Sequence, residues 1–237
     1  MDPLKNWDNK TWLSSKEYIN HVSKFILKQK KLNKHSRILD IGCGRGKIIG
    51  DLSSKLRLIN KPIGIDILNH RDKSKKIIFK KSDGFMFVSK TKVNFDLIII
   101  KQSIHFLKKK KILNLLSNCQ NKLNLYGKII ILSLDTDSNE IPTFKLMKKK
   151  LEKSLKQDKK IFKSIIKNYS KVVIKRFIFN VKIIKNKYLK MIRSRYMSTL
   201  LNLNNKQIEI GINEINSNYS KEITFKDKLV CIIIKKQ

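Results

Sequence analysis

From residue 37 onward, short apolar runs alternate with longer stretches whose apolar residues recur every three or four positions. Residues 38–41, 61–66, 77–79, 94–100 and 129–134 are runs of three to seven residues in which Ile, Leu and Phe recur. They read as short strands, and the isoleucine run at 98–100 predicts that the fourth is buried on both faces, as in a parallel sheet. Between them, Ile49, Leu52, Leu56 and Ile59, and later Ile112, Leu115, Leu116, Cys119 and Leu123, fall on single faces of helices. Five such strand–helix units in series predict a doubly wound, mostly parallel sheet that binds its ligand at the carboxyl ends of the strands.

The flanking regions carry other patterns. Ahead of the first strand, Ser14 and Glu17 are spaced as a capping box for a helix carrying Tyr18, Val22, Phe25 and Ile26. Trp7 and Trp12 precede it, as a clamp on that helix or as a flap over a ligand. After residue 134, Phe144, Met147, Leu151 and Leu155, then Phe162, Ile165 and Tyr169, predict a long amphipathic region broken near Asp158. Phe177, Phe179, Val181 and Ile183 alternate as a strand. Two helices follow at about residues 186–217, and strands at 223–225 and 229–234 close the chain with an antiparallel edge.

The chemistry starts at R-I-L-D-I-G-C-G-R-G-K, residues 37–47. Asp40 stands near the end of the first strand, and Gly42, Gly44 and Gly46 form the turn into a helix. Glycine tolerates positive φ and close ligand approach, and the helix start offers unpaired N–H groups, so a nucleoside-like ligand is expected. The alternating G-x-G-x-G spacing, with Asp40 two residues ahead, departs from the dinucleotide fingerprint G-x-G-x-x-G. Asp66 ends the second strand, 20 residues after Gly46, where a carboxylate can accept both hydrogen bonds of a ribose diol. Ser82-Asp83-Gly84 follows the third strand, and K-Q-S-I-H-F-L, residues 101–107, the fourth.

This series resembles the class I S-adenosylmethionine-dependent methyltransferases of small-molecule type (type 11/25-like domain), whose first motif reads h-h-D-h-G-x-G-x-G with h apolar. The resemblance covers residues 37 to about 134. It implies a Rossmann-like, mostly parallel seven-stranded sheet with an antiparallel edge and a helical cap insert at 186–217. Residues 1–34 would be an N-terminal helical extension and 35–135 the S-adenosylmethionine-binding core of a single domain. It further implies that Asp40, Gly42, Cys43, Gly44 and Gly46 bind the methyl donor together with Asp66 and Ile67 at the ribose, Asp83 and Gly84 at the adenine, and Lys101 and Gln102. His105 matches the polar position near the transferred methyl, as a base, an orienting group or part of the cavity wall. One departure is Tyr126, where the family's turn before the fifth strand carries glycine.

Acceptor specificity is expected from the cap, where Arg193, Arg195 and Tyr196 cluster; a guanidinium fork there would suit a carboxylate acceptor. A small organic acceptor, through a carboxylate or hydroxyl, is the leading reading. A macromolecular acceptor such as RNA, and a basic binding protein without catalysis, are the alternatives.

The formal charge of +36, from 54 Lys and Arg against 18 Asp and Glu, bears on that choice. Only seven of the 54 are Arg, and Asn and Ile abound beside Lys. All three have AT-rich codons, so base bias is favoured over selection for a nucleic-acid partner. Cys43, Cys119 and Cys231 form no C-x-x-C pair and imply neither a disulfide framework nor a zinc site, which suits a reducing cytoplasm. The polar N-terminus does not read as a signal peptide, and no apolar run approaches the ~20 residues of a membrane span. No metal requirement is expected.

Overall fold

Each apolar run of the glycine-loop half becomes one strand of a single sheet. The computed structural model describes residues 11–104, 107 and 109–236; Trp7 and His105 lie outside the described residues. The strands are β1 (Ile38–Ile41), β2 (Ile63–Asp66), β3 (Ile78–Lys81), β4 (Phe95–Lys101), β5 (Leu123–Leu134), β6 (Val172–Ile184) and β7 (Glu222–Lys235). Their order is β3-β2-β1-β4-β5-β7-β6. Strands β1 to β5 are parallel, and β7 runs antiparallel to both β5 and β6. Strand β7 therefore runs against the direction of the other six strands.

The helices are α1 (Lys16–Gln29), α2 (Lys47–Leu56), α3 (Gly84–Lys90), α4 (Lys109–Asn121), α5 (Lys145–Asn168), α6 (Lys185–Arg193), α7 (Ser198–Leu201) and α8 (Asn205–Asn218). They cover both faces of the sheet. On one face α1, α2, α6 and α8 pack with the broad surface of β6 and β7; on the other, α3 and α4 pack with the C-terminal half of α5. Helix α5 takes part in both cores. Phe144 and Met147 join the first and Phe162 and Ile165 the second, so the middle of the helix passes across the carboxyl end of the sheet.

Four local expectations are corrected. The N-cap of α1 is Ser15, which accepts from Tyr18 N at 3.1 Å, while Ser14 Oγ closes a 3-10 turn at Trp12–Ser14 by donating to Thr11 O. Helix α5 is unbroken at Asp158, because that side chain faces inward instead of capping a new turn. The cap holds three helices rather than two, since Arg195 takes φ 51° and ends the periodicity after α6. The two final strands are one 14-residue strand, in which buried Asp227 keeps the alternation between Phe225 and Leu229.

Tyr126 adopts φ 61°, the left-handed conformation that the family's glycine adopts freely, and its ring is exposed. Among the described residues, no helix is long and apolar enough to cross a membrane, and no group of three or more His, Cys, Asp or Glu is placed to hold a metal ion.

Candidate active site

The carboxyl ends of the strands surround a cavity of about 930 Å³, near the top of the roughly 300–1,000 Å³ typical of small-molecule sites. One half is built from turns. After β1, Gly42, Gly44 and Gly46 all take positive φ. Gly42 also has no room for a side chain, since a Cβ there would lie 2.5 Å from Ser103 Cβ. Ser103 Oγ donates to Ile41 O, and Gly42 N and Cys43 N donate to Ile65 O, so the tips of β1, β2 and β4 are locked together. Beneath the turn, a Cβ on Gly64 would meet Cys43 Sγ at 2.8 Å, so the missing side chain makes room for the thiol. Burial, with repulsion from Asp40 and Asp66, raises the Cys43 thiol and keeps it protonated.

The carboxylates differ in their partners. Asp66 Oδ2 accepts from Gly44 N at 2.8 Å and Oδ1 from Leu68 N at 2.9 Å, which holds the group rigid with lone pairs to spare. Asp83 caps α3 by accepting from Met86 N. Asp40 is 4% exposed, and its Oδ1 has no hydrogen-bond partner. Burial pushes its carboxyl up to about 7, with Lys101 pulling it down and Asp66 adding repulsion. A buried carboxylate oxygen without a donor is costly, so this site calls for a cation or donor from a ligand. Gln102, at φ 51° directly after β4, accepts from Lys101 Nζ at 2.8 Å; a strained residue at a strand tip is characteristic of ligand sites.

The other half is closed by elements outside the strand–helix repeats. Trp12 packs edge-on against Tyr196 (5.5 Å between centroids) and Phe225 (5.1 Å). Its Nε1 donates to Asp227 Oδ2 at 3.0 Å, and Tyr196 Oη shares a hydrogen with Tyr188 Oη at 2.8 Å. Leu151, Ser154, Leu155 and Asp158 of α5, Ile141, and Tyr196 to Thr199 complete the wall. Burial raises the Asp158 carboxyl to about 6 and raises that of Asp227 as well.

Of the residues singled out from the sequence, Asp40, Gly42, Cys43, Gly44, Asp66, Ile67, Asp83, Gly84, Lys101, Gln102 and Tyr196 line this one cavity. Gly46 is not among its lining residues; it caps α2 and packs under Ile77. Arg193 and Arg195 require correction. Arg193 forms an exposed bidentate pair with Glu209, and Arg195 donates to Leu203 O and Asn205 Oδ1, so each guanidinium binds α8 or its approach rather than the cavity. His105 falls outside the described residues.

Sequence reading missed His70, Ser154, Asp158 and Asp227, all cavity-lining. A signal existed for two. Asp158 sits three after Leu155 and four before Phe162, and Asp227 two after Phe225 and two before Leu229, each a carboxylate at an apolar position of its element.

The sheet order, the glycine turn and the carboxylates at the tips of β1 and β2 define a class I S-adenosylmethionine-dependent methyltransferase, an enzyme with S-adenosylmethionine as its methyl donor. More narrowly, the chain belongs to the O-methyltransferase domain family, whose model matches residues 9–157. No curated protein matches the chain. Solved structures share its fold. The plantazolicin methyltransferase BpumL, bound to a pentazolic desmethylPZN analog and SAH, is 16% identical with a TM-score of 0.55, covering 99% of this chain and 90% of that one. A protein of Anabaena variabilis, named as a methyltransferase from an antibiotic biosynthesis pathway, is 14% identical with a TM-score of 0.59, covering 91% and 96%. A SAM-dependent methyltransferase of Archaeoglobus fulgidus is 19% identical with a TM-score of 0.53, covering 92% and 94%.

Proposed function

We propose that this methyltransferase acts on a hydroxyl oxygen of a small organic acceptor. The observation that carries the reading is the enclosed second half of the cavity, whose walls of Trp12, Ile141, Leu151, Leu155 and Tyr196 suit a compact, largely apolar molecule. The family's description as O-methyltransferases favours oxygen. A carboxylate acceptor has lost its support, because Arg193 and Arg195 are engaged elsewhere.

In this reading, Asp66 receives the ribose hydroxyls of the methyl donor, Asp83 and Gly84 border its adenine, and Asp40 with the Gly42–Gly44 backbone holds its amino-acid end. The unpaired Asp40 Oδ1 and the spare lone pairs of Asp66 fit a ligand that carries both an ammonium and a diol. When bound, S-adenosylmethionine supplies a methyl on a sulfonium, whose sulfur keeps the bonding electron pair and leaves as a neutral thioether. The chain's own task is then alignment and exclusion of water, with the acceptor oxygen held about 3 Å from the methyl carbon. Trp12, tied to Asp227, and Tyr196, tied to Tyr188, keep the wall closed while this happens. His105, in the segment after β4, orients the acceptor.

The test is transfer of labelled methyl from S-adenosylmethionine into a cell extract separated into small-molecule and macromolecular fractions. Label in the small-molecule fraction is expected. Label confined to RNA or protein overturns the reading and makes the lysine-rich exterior the substrate surface.

A further inference from the structure

We propose that Asp158 is the group that holds the acceptor's nucleophilic hydroxyl and takes its proton as the methyl is transferred. This rests on the reading of the acceptor half given above.

The argument begins with helix geometry. Leu151, Leu155, Asp158 and Phe162 recur at intervals of four, three and four, so they form one stripe along α5. Such a position in an ordinary core helix would be apolar. Here α5 leaves one core before it enters the other, and the stripe between them borders the cavity. Asp158 is 5% exposed, yet it has no hydrogen bond or ion pair among the described residues. A carboxylate buried without a donor destabilises the fold, and the cavity it lines is where a donor can arrive. Ser154, one turn earlier on the same side, also lines the cavity and offers a second polar contact.

Neighbouring charges leave this role open to Asp158. Asp227 of β7 is fixed in place by Trp12 through Oδ2, with Oδ1 left without a hydrogen-bond partner, while Lys101 of β4 donates to Gln102 and Tyr196 is paired with Tyr188. Lys111 of α4 lines the same cavity, but the Asp158 shift comes from burial alone. The step balances: the O–H bond breaks, its proton goes to an Asp158 oxygen, and the electron pair left on the acceptor oxygen forms the new O–CH3 bond. Burial pushes the Asp158 carboxyl up to about 6. It is therefore mostly ionised at neutral pH and a stronger base than an exposed carboxylate.

The experiment compares wild type, Asp158→Asn and Asp158→Glu. Binding of S-adenosylhomocysteine is measured by calorimetry, the initial rate of label transfer into the small-molecule fraction from pH 5 to 9, and the carboxyl titration by carbon-13 NMR. Three results are expected together. Asp158→Asn binds S-adenosylhomocysteine within about twofold of wild type but transfers label at least about 100-fold more slowly. The wild-type rate falls below about pH 6, a limb that Asp158→Asn lacks and Asp158→Glu retains with part of the activity. A carboxyl resonance titrating above the ordinary aspartate range vanishes in Asp158→Asn.

A full rate in Asp158→Asn with label still in small molecules would overturn the role of Asp158 and leave the acceptor class standing. A slower variant that keeps the acid limb, or one that no longer binds S-adenosylhomocysteine, would overturn proton transfer to Asp158. Label only in macromolecules would overturn both readings.

Discussion

Asp40 pits stability against binding at a single side chain. Its carboxyl is raised from 3.8 to about 7, chiefly by burial, so between those values the folded chain holds a proton that the unfolded chain has lost. Stability of the free protein therefore falls as pH rises from about 4 to about 7, by a total on the order of 4 kcal/mol. Asp40→Asn removes that dependence. The variant should melt above wild type at pH 8 and lose that advantage at pH 4, as read by thermal denaturation. It should also bind S-adenosylhomocysteine about 10- to 100-fold more weakly in calorimetry, the cost of losing one charged hydrogen bond. Asp40 and Asp66 were legible in the sequence because the glycine turn between them is local. Asp158 and Asp227 were not, because each looks like a flaw in an apolar pattern until the fold brings a cavity against it. Arg193 misled for a related reason: its partner Glu209 is 16 positions away on another helix, a pairing that periodicity does not reveal.

At the scale of elements, the cap is held by one close approach. A Cβ on Gly211 of α8 would lie 2.5 Å from the Phe144 ring, and Glu214, one turn further on, accepts from Lys145 N at the start of α5. Glycine inside a helix costs about 1 kcal/mol relative to alanine, so this contact is what the residue provides. Gly211→Ala should push α8 off α5, lower stability by about 1–3 kcal/mol in denaturant titration, and raise the KM for the acceptor more than it lowers S-adenosylhomocysteine affinity. Strands β1 and β4 were readable because their apolar runs are buried on both faces, whereas β3, at the sheet edge, is largely exposed. The single length of β7 was hidden by Asp227 and Lys228, which resemble a turn but fall on alternate faces of a continuous strand.

At the scale of the whole molecule, 54 basic residues against 18 acidic ones leave unbalanced repulsion over the surface. Salt at 0.15 M reduces the screening length to about 8 Å, so the melting temperature should rise by several degrees from about 10 mM to 0.15 M sodium chloride. A melting temperature that falls over this range would mean that specific ion pairs outweigh the repulsion. The order of the strands, unlike their existence, was not legible in the residue pattern, since local periodicity does not say which neighbour a strand chooses.

That order has a consequence in time. Among the described residues β6 pairs only with β7, and β7 lies between it and β5. Until residues 222–235 have been made and threaded into place, β5 and β6 each present an open edge. The wall that Asp227 forms with Trp12, 215 positions earlier, cannot exist before then. Refolding should accordingly have a late, slow phase, in which protection of β6 and β7 amides and the first competence to hold an acceptor arrive together, after the glycine-turn half has already set.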